Sequence, residues 1–386
     1  MKSIQVFFLI ILTNFGCETT DRQSGVKQIH FTHSPILGRV GAHKMEVWAR
    51  TARTGIFTVR YGTEPNQLTS CSPEVATIIE QDNTGWVHIT GLASNTKYYY
   101  QFVWLDPKGE FPGPTGTFHT LPSPDNFRHS QYNPEGRFDF RFEFACGNNQ
   151  NTAKAAAYGW RLPTYATMLK EFQDDDGHTR VDFAILNGDW LYEEQRQYKP
   201  EDWLTQVGLT PEETPAVVEV MPTIVGVWEN YKLYLNRGEH LAAWHRVVPS
   251  FFTFDDHEIV NDVCGAGEVG FRNRRPVFRG IALKAWYDYL GWSNPVASLP
   301  DIRFGRAIFN AGSQVLTDPD ADFSQLNVKE TATLHVHWGT PDAGVMQGPS
   351  DDEGGDPNSG VYQIVEVIDT KRLRIWPAAI TDGTAL

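Results

Sequence analysis

Cysteine is scarce, with four in 386 residues. One of them, Cys17, sits in a leader-like segment, which leaves Cys71, Cys146 and Cys264. An odd remainder provides no disulfide framework, and pairing Cys71 with Cys264 would have to join different domains, so no structural disulfide is expected. Positive charge is also short. Lys and Arg number 33 against 47 acids, a net charge of −14. No basic stretch could neutralise a row of phosphates, which excludes nucleic-acid binding as a function. No internal repeat or low-complexity tract is present, and the apolar run at residues 6–12 is too short to anchor the chain across a bilayer. What the chain has in quantity is aromatic residues, 12 Trp, 14 Tyr and 23 Phe, and enough length for two domains and a sizeable core.

The first residues carry a short positive end at Lys2, an apolar core and then Gly16-Cys17, the order of an export signal. Gly16-Cys17 resembles the cut site of bacterial lipoproteins, whose cysteine is acylated, while Asn14 and Phe15 fit that box poorly. Two readings therefore stand for residues 1–17, a plain signal peptide and a lipoprotein signal with a lipid anchor at Cys17. Both place the mature chain outside the cytoplasm, as a periplasmic, cell-surface or secreted protein. Residues 18–27 read as a polar tether.

Three strand ends concentrate the chemistry. Residues 251–262, Phe-Phe-Thr-Phe-Asp-Asp-His-Glu-Ile-Val-Asn-Asp, crowd four acids, a histidine and an asparagine behind an aromatic run. Acids this close repel, and burying them is costly unless a cation compensates. The competing reading is an acidic helix N-terminus, where carboxylates meet the positive end of the dipole. A second apolar run, residues 181–187, reaches Gly188-Asp189, with Tyr192, Glu193 and Glu194 close behind. Gly188 allows a sharp turn, so Asp189 leaves the carboxyl end of a strand, the edge at which open α/β sheets hold ligands. In residues 137–149, Phe138, Phe140, Phe142 and Phe144 recur with the two-residue period of a strand that has one apolar face, and the run stops at Cys146-Gly147-Asn148-Asn149. A cysteine at a strand end is either a small buried hydrophobe or a thiolate ligand. Two acidic ends, one followed by His257, favour a binuclear metal centre.

Together, Phe144-Ala-Cys146, Gly188-Asp189-x-x-Tyr192-Glu193 and Asp255-Asp256-His257-Glu258 with Asn261 resemble the PhoD-type alkaline phosphatases. These are metallophosphoesterases related to purple acid phosphatases, and the resemblance runs from about residue 30 to about residue 295. It implies a phosphoesterase acting on phosphodiesters or phosphomonoesters with iron and calcium, Fe(III) beside Ca(II) or another divalent ion. By the same resemblance, Asp189 would bridge both metals and Tyr192 and Cys146 would bind the ferric ion. Asp256 stands where most metallophosphoesterases have Asn and would bind the second metal. His257 would meet the substrate phosphate and assist the leaving group, and the attacking group would be a metal-bound hydroxide. Asn148, Glu193, Glu258 and Asn261 are expected as supporting partners around the ligands, and Trp190 departs from the family's usual residue.

The family closes its site with a late Gly-Asp-x-His strand end, and none follows Asn261. His335 and His337, at i and i+2 on a strand, point to one face and are the only late ligand candidates. They lie in a small antiparallel β module that reads as an insertion. The expected consequence is a chain truncated at its C-terminus, with an incomplete metal cage. Upstream, residues 44–50, 55–61, 85–90 and 96–104 alternate apolar and polar residues between turns, as in a sandwich. Gly91 to Tyr98 resembles the fibronectin type III corner closed by a tyrosine. The helical stretch 200–245 carries a Trp228, Tyr231, Tyr234, Leu235 stripe that reads as core.

The expected fold is thus multidomain. A signal at 1–17 and a tether at 18–27 precede a fibronectin type III-like all-β sandwich at 28–121. A linker at 122–136 leads to an α/β metallophosphoesterase domain of layered sheets flanked by helices at 137–310, incomplete, and then the small β insertion at 311–386. The function that competes with an exported phosphoesterase is a non-catalytic secreted or surface-anchored module, whose sandwich binds a partner while the phosphatase-like domain is silent.

Overall fold

A computed structural model describes residues 29–150, 161–172, 180–261, 263, 278–294, 304–329, 333–336 and 357–385. The leader and tether, Cys17, Cys264 and His337 lie outside the described residues. The chain is mixed α/β with several sheets. Among the described residues, no helix is long and apolar enough to cross a membrane.

Eight strands come first: β1 Ile36–Gly38, β2 Lys44–Arg50, β3 Gly55–Gly62, β4 Ser70–Cys71, β5 Val75–Thr77, β6 Thr84–Thr90, β7 Lys97–Asp106 and β8 Gly109–His119. One sheet runs β1-β2-β6 and the other β4-β3-β7-β8, with β5 paired to β3, and every pairing is antiparallel. Alternate residues of both sheets, among them Val47, Val87, Phe57, Phe102 and Phe118, enter one shared apolar core. At the corner between β6 and β7, the Tyr98 hydroxyl accepts the N–H of Ala93 at 2.9 Å.

Three further strands, β9 Phe142–Ala145, β10 Phe183–Asn187 and β11 Ser250–Thr253, form a parallel sheet in the order β11-β10-β9. The register sets Ala145 beside Leu186 and Asn187 beside Thr253, so all three strands end at one edge. Helices Pro200–Val207, Ile224–Arg237, Glu239–His245 and Arg279–Tyr289 share an apolar core with Ala184, Leu186 and Phe252 of this sheet. Trp228, Tyr231 and Tyr234 of the expected stripe are fully buried in that core. β9 is shorter than the phenylalanine alternation suggested, and Phe140, Phe142 and Phe144 are exposed. The alternation does mark one face, with Phe142 stacked on Phe183; Phe183 and Phe251 of that face pack against the core of the first two sheets, and the part at Phe142 and Phe144 stays exposed.

The last strands, β12 Ala307–Phe309, β13 Val315–Thr317, β14 Thr333–Val336, β15 Gly360–Asp369, β16 Arg372–Trp376 and β17 Gly383–Ala385, make a six-stranded antiparallel sheet with its own core. It begins at Ala307, four residues before position 311. Cys71 and Cys146 are free thiols.

A buried ion cluster joins the first sheets to the helices. Asp82, fully buried, accepts from Arg50 Nη2 at 2.7 Å and Arg50 Nε at 3.0 Å. Trp203 Nε1 donates to it at 2.9 Å, the Tyr289 hydroxyl donates to it as well, and Lys232 Nζ lies 3.6 Å away. Burial alone would raise the Asp82 carboxyl, yet Arg50 and Lys232 override it and hold the group well below the usual carboxylate range. Replacing Asp82 by Ala leaves Arg50 buried without its anion, while Lys232 keeps Glu229 at 2.9 Å, so unfolding by urea should show a loss of about 3–5 kcal/mol.

His245 is buried beneath the parallel sheet's edge. Its Nε2 accepts from Trp190 Nε1 at 3.2 Å, and the indole can only donate, so the proton sits on Nδ1, 3.1 Å from Ser250 Oγ. Burial pushes its pKa down to about 3. A depressed pKa contributes stability that is complete above the ordinary value of 6.5 and is lost as pH falls towards 3. The buried Glu258 and Asp288 carboxyls are pushed up to about 7 and about 6 and titrate with the opposite sign in part of this window. The check is therefore a difference: between pH 6 and 4, His245→Asn should lose less stability than the wild type, by up to about 1.4 kcal/mol per pH unit.

Candidate metal centre

The edge where β9, β10 and β11 end collects the residues singled out from the sequence. β10 turns at Gly188, whose φ is +81°, and a Cβ there would stand 2.6 Å from the Asp255 backbone nitrogen, so only glycine permits the close approach of the two loops. Asp189 follows with φ +52°, also left-handed. The loop after β9 is tied to the same turn. Asn148 N–H donates to the Asp189 carbonyl at 2.8 Å, and Gly147 N–H donates to the Gly188 carbonyl at 3.3 Å.

Two groups of ligand atoms meet there. In one, Cys146, Asp189 and Asp255 each offer an atom within 4.8 Å of the others. In the second, Asp189, Asp256 and His257 do the same. Asp189 is common to both. Its Oδ2 accepts the Tyr192 hydroxyl at 3.2 Å, while its buried Oδ1 has no hydrogen-bond partner among the described residues. A buried carboxylate oxygen without a donor is expensive unless something positive faces it. The arrangement of thiol, phenol, carboxylates and imidazole around a shared, half-unpartnered carboxylate fits two cations.

Electrostatics point the same way. Burial first, then the neighbouring acids Asp189 and Asp255, raise the Cys146 thiol. Burial and Asp189 raise the Tyr192 phenol, and burial raises Asp189 itself. Each anionic form is disfavoured first by burial and then by neighbouring acids, and a bound cation offsets both.

His257 is oriented from outside the cluster. Its Nδ1 lies 2.8 Å from Glu193 Oε2, and Glu193 Oε1 accepts the Asn261 N–H at 2.6 Å. A carboxylate only accepts, so Nδ1 carries a hydrogen and Nε2 is the nitrogen left for chemistry. The Tyr192 ring lies 4.0 Å, centroid to centroid, from the imidazole. Burial lowers the His257 pKa, but Glu193, Asp189 and Asp256 outweigh it and the net shift is upward. Glu258 is fully buried, and its oxygens accept backbone N–H groups, those of Asp189 at 3.1 Å and Trp190 at 2.6 Å among them. Arg196, also buried, donates through Nη2 to the His257 and Glu258 carbonyls at 3.3 and 3.1 Å. Asn148 Oδ1 accepts the Tyr165 hydroxyl at 3.0 Å.

Of the residues singled out in the sequence, Cys146, Asn148, Asp189, Tyr192, Glu193, Asp256, His257, Glu258 and Asn261 all lie at this edge or tie into it. His335 sits on β14, paired with Val361 in the C-terminal sheet, and joins neither ligand group; His337 is outside the described residues. Asp255 and Arg196 were not singled out as individual functional residues. Asp255 had a readable signal, since it follows β11 as closely as Asp189 follows β10, whereas Arg196 had none.

A family model described as PhoD-like phosphatase matches residues 143–307, in agreement with the resemblance carried by the three motifs. Among solved structures, one entitled Structure of PhoD is similar over 73% of this chain and 50% of its own, at 19% identity and a TM-score of 0.47. This chain therefore spans half the length of that protein. A purple acid phosphatase from yellow lupin (Lupinus luteus) seeds is similar over 71% of this chain and 43% of its own, at 12% identity and a TM-score of 0.37. The fibronectin type III domain of human fibronectin type III domain containing protein 3 is similar over 26% of this chain and 94% of its own, at 16% identity and a TM-score of 0.20. No curated protein matches.

Because burial, and after it the neighbouring Asp256 and Asp255, raise the Asp189 carboxyl against the opposing pull of His257, neutralising it should stabilise the metal-free protein. Asp189→Asn, measured in chelator by calorimetry, should melt higher than the wild type, each kcal/mol gained appearing as roughly 2–4 °C.

Proposed function

We propose that this chain is an exported, metal-dependent phosphoesterase that hydrolyses phosphomonoesters or phosphodiesters at the edge formed by β9, β10 and β11. The observation that carries the reading is the sharing of Asp189 between two ligand groups, each compact enough to hold one ion. The PhoD-like match over residues 143–307 supports the reaction class, and the leader-like residues 1–17 support export. In this reading residues 28–121 are a fibronectin type III-like support, residues 137–310 carry the phosphatase site, and residues 311–386 form an inserted β module without chemistry.

Cys146, Tyr192, Asp189 and Asp255 would hold one ion, and Asp189 with Asp256 the other. A ferric ion suits the side bearing phenol and thiol, and calcium or another divalent ion suits the carboxylate side. When bound, such a pair supplies positive charge for the phosphoryl oxygens and a water of lowered pKa. The protein's own residues do the rest. Asp189 fixes the separation of the two groups through its position after the Gly188 turn. Water gives up one proton to solvent as its oxygen forms the new P–O bond, the ester P–O bond breaks, and the leaving oxygen takes the proton carried on His257 Nε2, which solvent then restores. Glu193 holds Nδ1, and the Tyr192 ring restricts rotation of the imidazole, so that Nε2 stays aimed at the leaving group. The acidic surface of the chain repels anionic esters at long range, and attraction is therefore local to this edge.

Chromogenic monoester and diester hydrolysis with iron and calcium tests the reading. His257→Ala should lower kcat about 10²–10⁴-fold for an alkyl ester and much less for a nitrophenyl ester, whose leaving group needs no proton. Asp189→Asn should remove both turnover and retained metal. Undiminished hydrolysis by Asp189→Asn would move the site elsewhere.

A further inference from the structure

Glu258 has both carboxylate oxygens occupied. Oε1 accepts the Trp190 N–H at 2.6 Å, and Oε2 accepts the Asp189 N–H at 3.1 Å and the Asp255 N–H at 2.9 Å. Two of these donors belong to the loop after β10 and the third to the loop after β11. One buried side chain thus closes the gap between the two segments that carry Asp189, Asp255 and Asp256. On the opposite side of the same peptide, Arg196 gathers the carbonyls of His257 and Glu258. Its Nε and Nη1 have no hydrogen-bond partner among the described residues, so the guanidinium spends its hydrogen bonds on this loop and its charge near Glu193 and Glu258.

We infer that Glu258, backed by Arg196, is a positioning residue that sets the spacing between the two ligand groups. The inference about metals rests on the two-cation reading proposed above; the joining of the two loops does not. Glu258 is absent from both ligand groups, and its oxygens point at amides. Asp189 belongs to both groups, so any slip of the β10 loop against the β11 loop changes both at once. Ligand sets tolerate little such slip, and partners outside the coordination sphere are what prevent it. Glutamine has nearly the shape of glutamate but offers one acceptor oxygen. Its amide nitrogen would face a backbone N–H, and at least one of the three bonds would be lost.

The experiment compares full-length wild type, E258Q and R196K. Hydrogen exchange is measured on the chelator-treated proteins, and ferric iron and calcium, each supplied alone, are counted per chain by mass spectrometry. In E258Q, amides in residues 187–192 and in residues 253–259 should both exchange about 10- to 100-fold faster, and affinity for each ion should fall about 10- to 100-fold. R196K keeps the charge but reaches one carbonyl, and should loosen residues 253–259 alone, with a smaller loss of affinity. Faster exchange in residues 253–259 of E258Q with residues 187–192 unchanged would overturn the joining of the loops. Unchanged ion affinity in E258Q, beside a wild type that takes up two ions, would overturn the positioning role even if the melting temperature fell. A wild type that takes up no ion defeats the two-cation reading, and exchange then decides the joining by itself. Should E258Q fail to fold, R196K carries both measurements, and wild-type exchange and affinity in that variant would overturn the inference.

Discussion

The parallel register of three short strands is the constraint from which the site follows. In a parallel sheet all carboxyl ends face one way, so the residues following β9, β10 and β11 have to meet at one edge. An antiparallel β10 would have carried Asp189 to the opposite side of the sheet from Cys146 and Asp255. The chemistry gathered there is thus a consequence of backbone direction, refined by the Gly188 turn, and it gives three segments far apart in sequence a common place to put sulfur, phenol and carboxylates. The cost is burial and a concentration of negative charge that His257 relieves only in part, visible as the raised thiol, phenol and Asp189 carboxyl.

A second cluster of charge has the opposite logic. Around Asp82 every charge is matched, with Arg50 and Lys232 against the Asp82 and Glu229 carboxylates and Trp203 and Tyr289 adding donors. Because Arg50 is on β2, Asp82 precedes β6, and the other groups come from helices, the cluster welds the first two sheets to the layer on which the parallel sheet rests. Further bonds cross the same seam, from Tyr100 to the Arg246 carbonyl at 2.9 Å and from Trp48 to the Asp288 carbonyl at 2.8 Å. The buried group of ions is complete and structural, and the half-exposed group at the strand ends holds an acid oxygen without a donor among the described residues.

Much of this was legible in the sequence because it is written in local patterns. The alternation of residues 44–50 and 85–90 gives β2 and β6, and the apolar runs ending in Gly-Asp and Asp-Asp give β10 and β11 with their acids at the right end. The Trp228–Leu235 stripe is core, as its spacing requires. Phe138 to Phe144 shows the limit of such patterns: period two reports which residues share a face, and says nothing about whether that face is covered. What periodicity cannot reach are contacts between distant segments. Glu193 reads as a supporting partner without saying which group it holds, and the contact with His257 emerges only in the fold, while Arg196, His245 and Asp82 carry no local signal, since these partners lie tens of residues away. The six-stranded C-terminal sheet was only partly visible, because strands of three residues fall below the length at which alternation can be recognised.

The left-handed backbone at Asp189 bears on how this edge should be dissected genetically. Aspartate and asparagine tolerate that conformation through their short polar side chains, whereas alanine in the same geometry carries a backbone penalty of about 1 kcal/mol or more. Alanine scanning at position 189 would fold that penalty into the apparent importance of the carboxylate, reporting a distorted turn as lost chemistry. Asparagine, with the same shape and the same backbone tolerance, isolates the charge. The pool of residues a natural variant could carry there is narrowed on the same grounds, by the path of the chain before any ligand is considered.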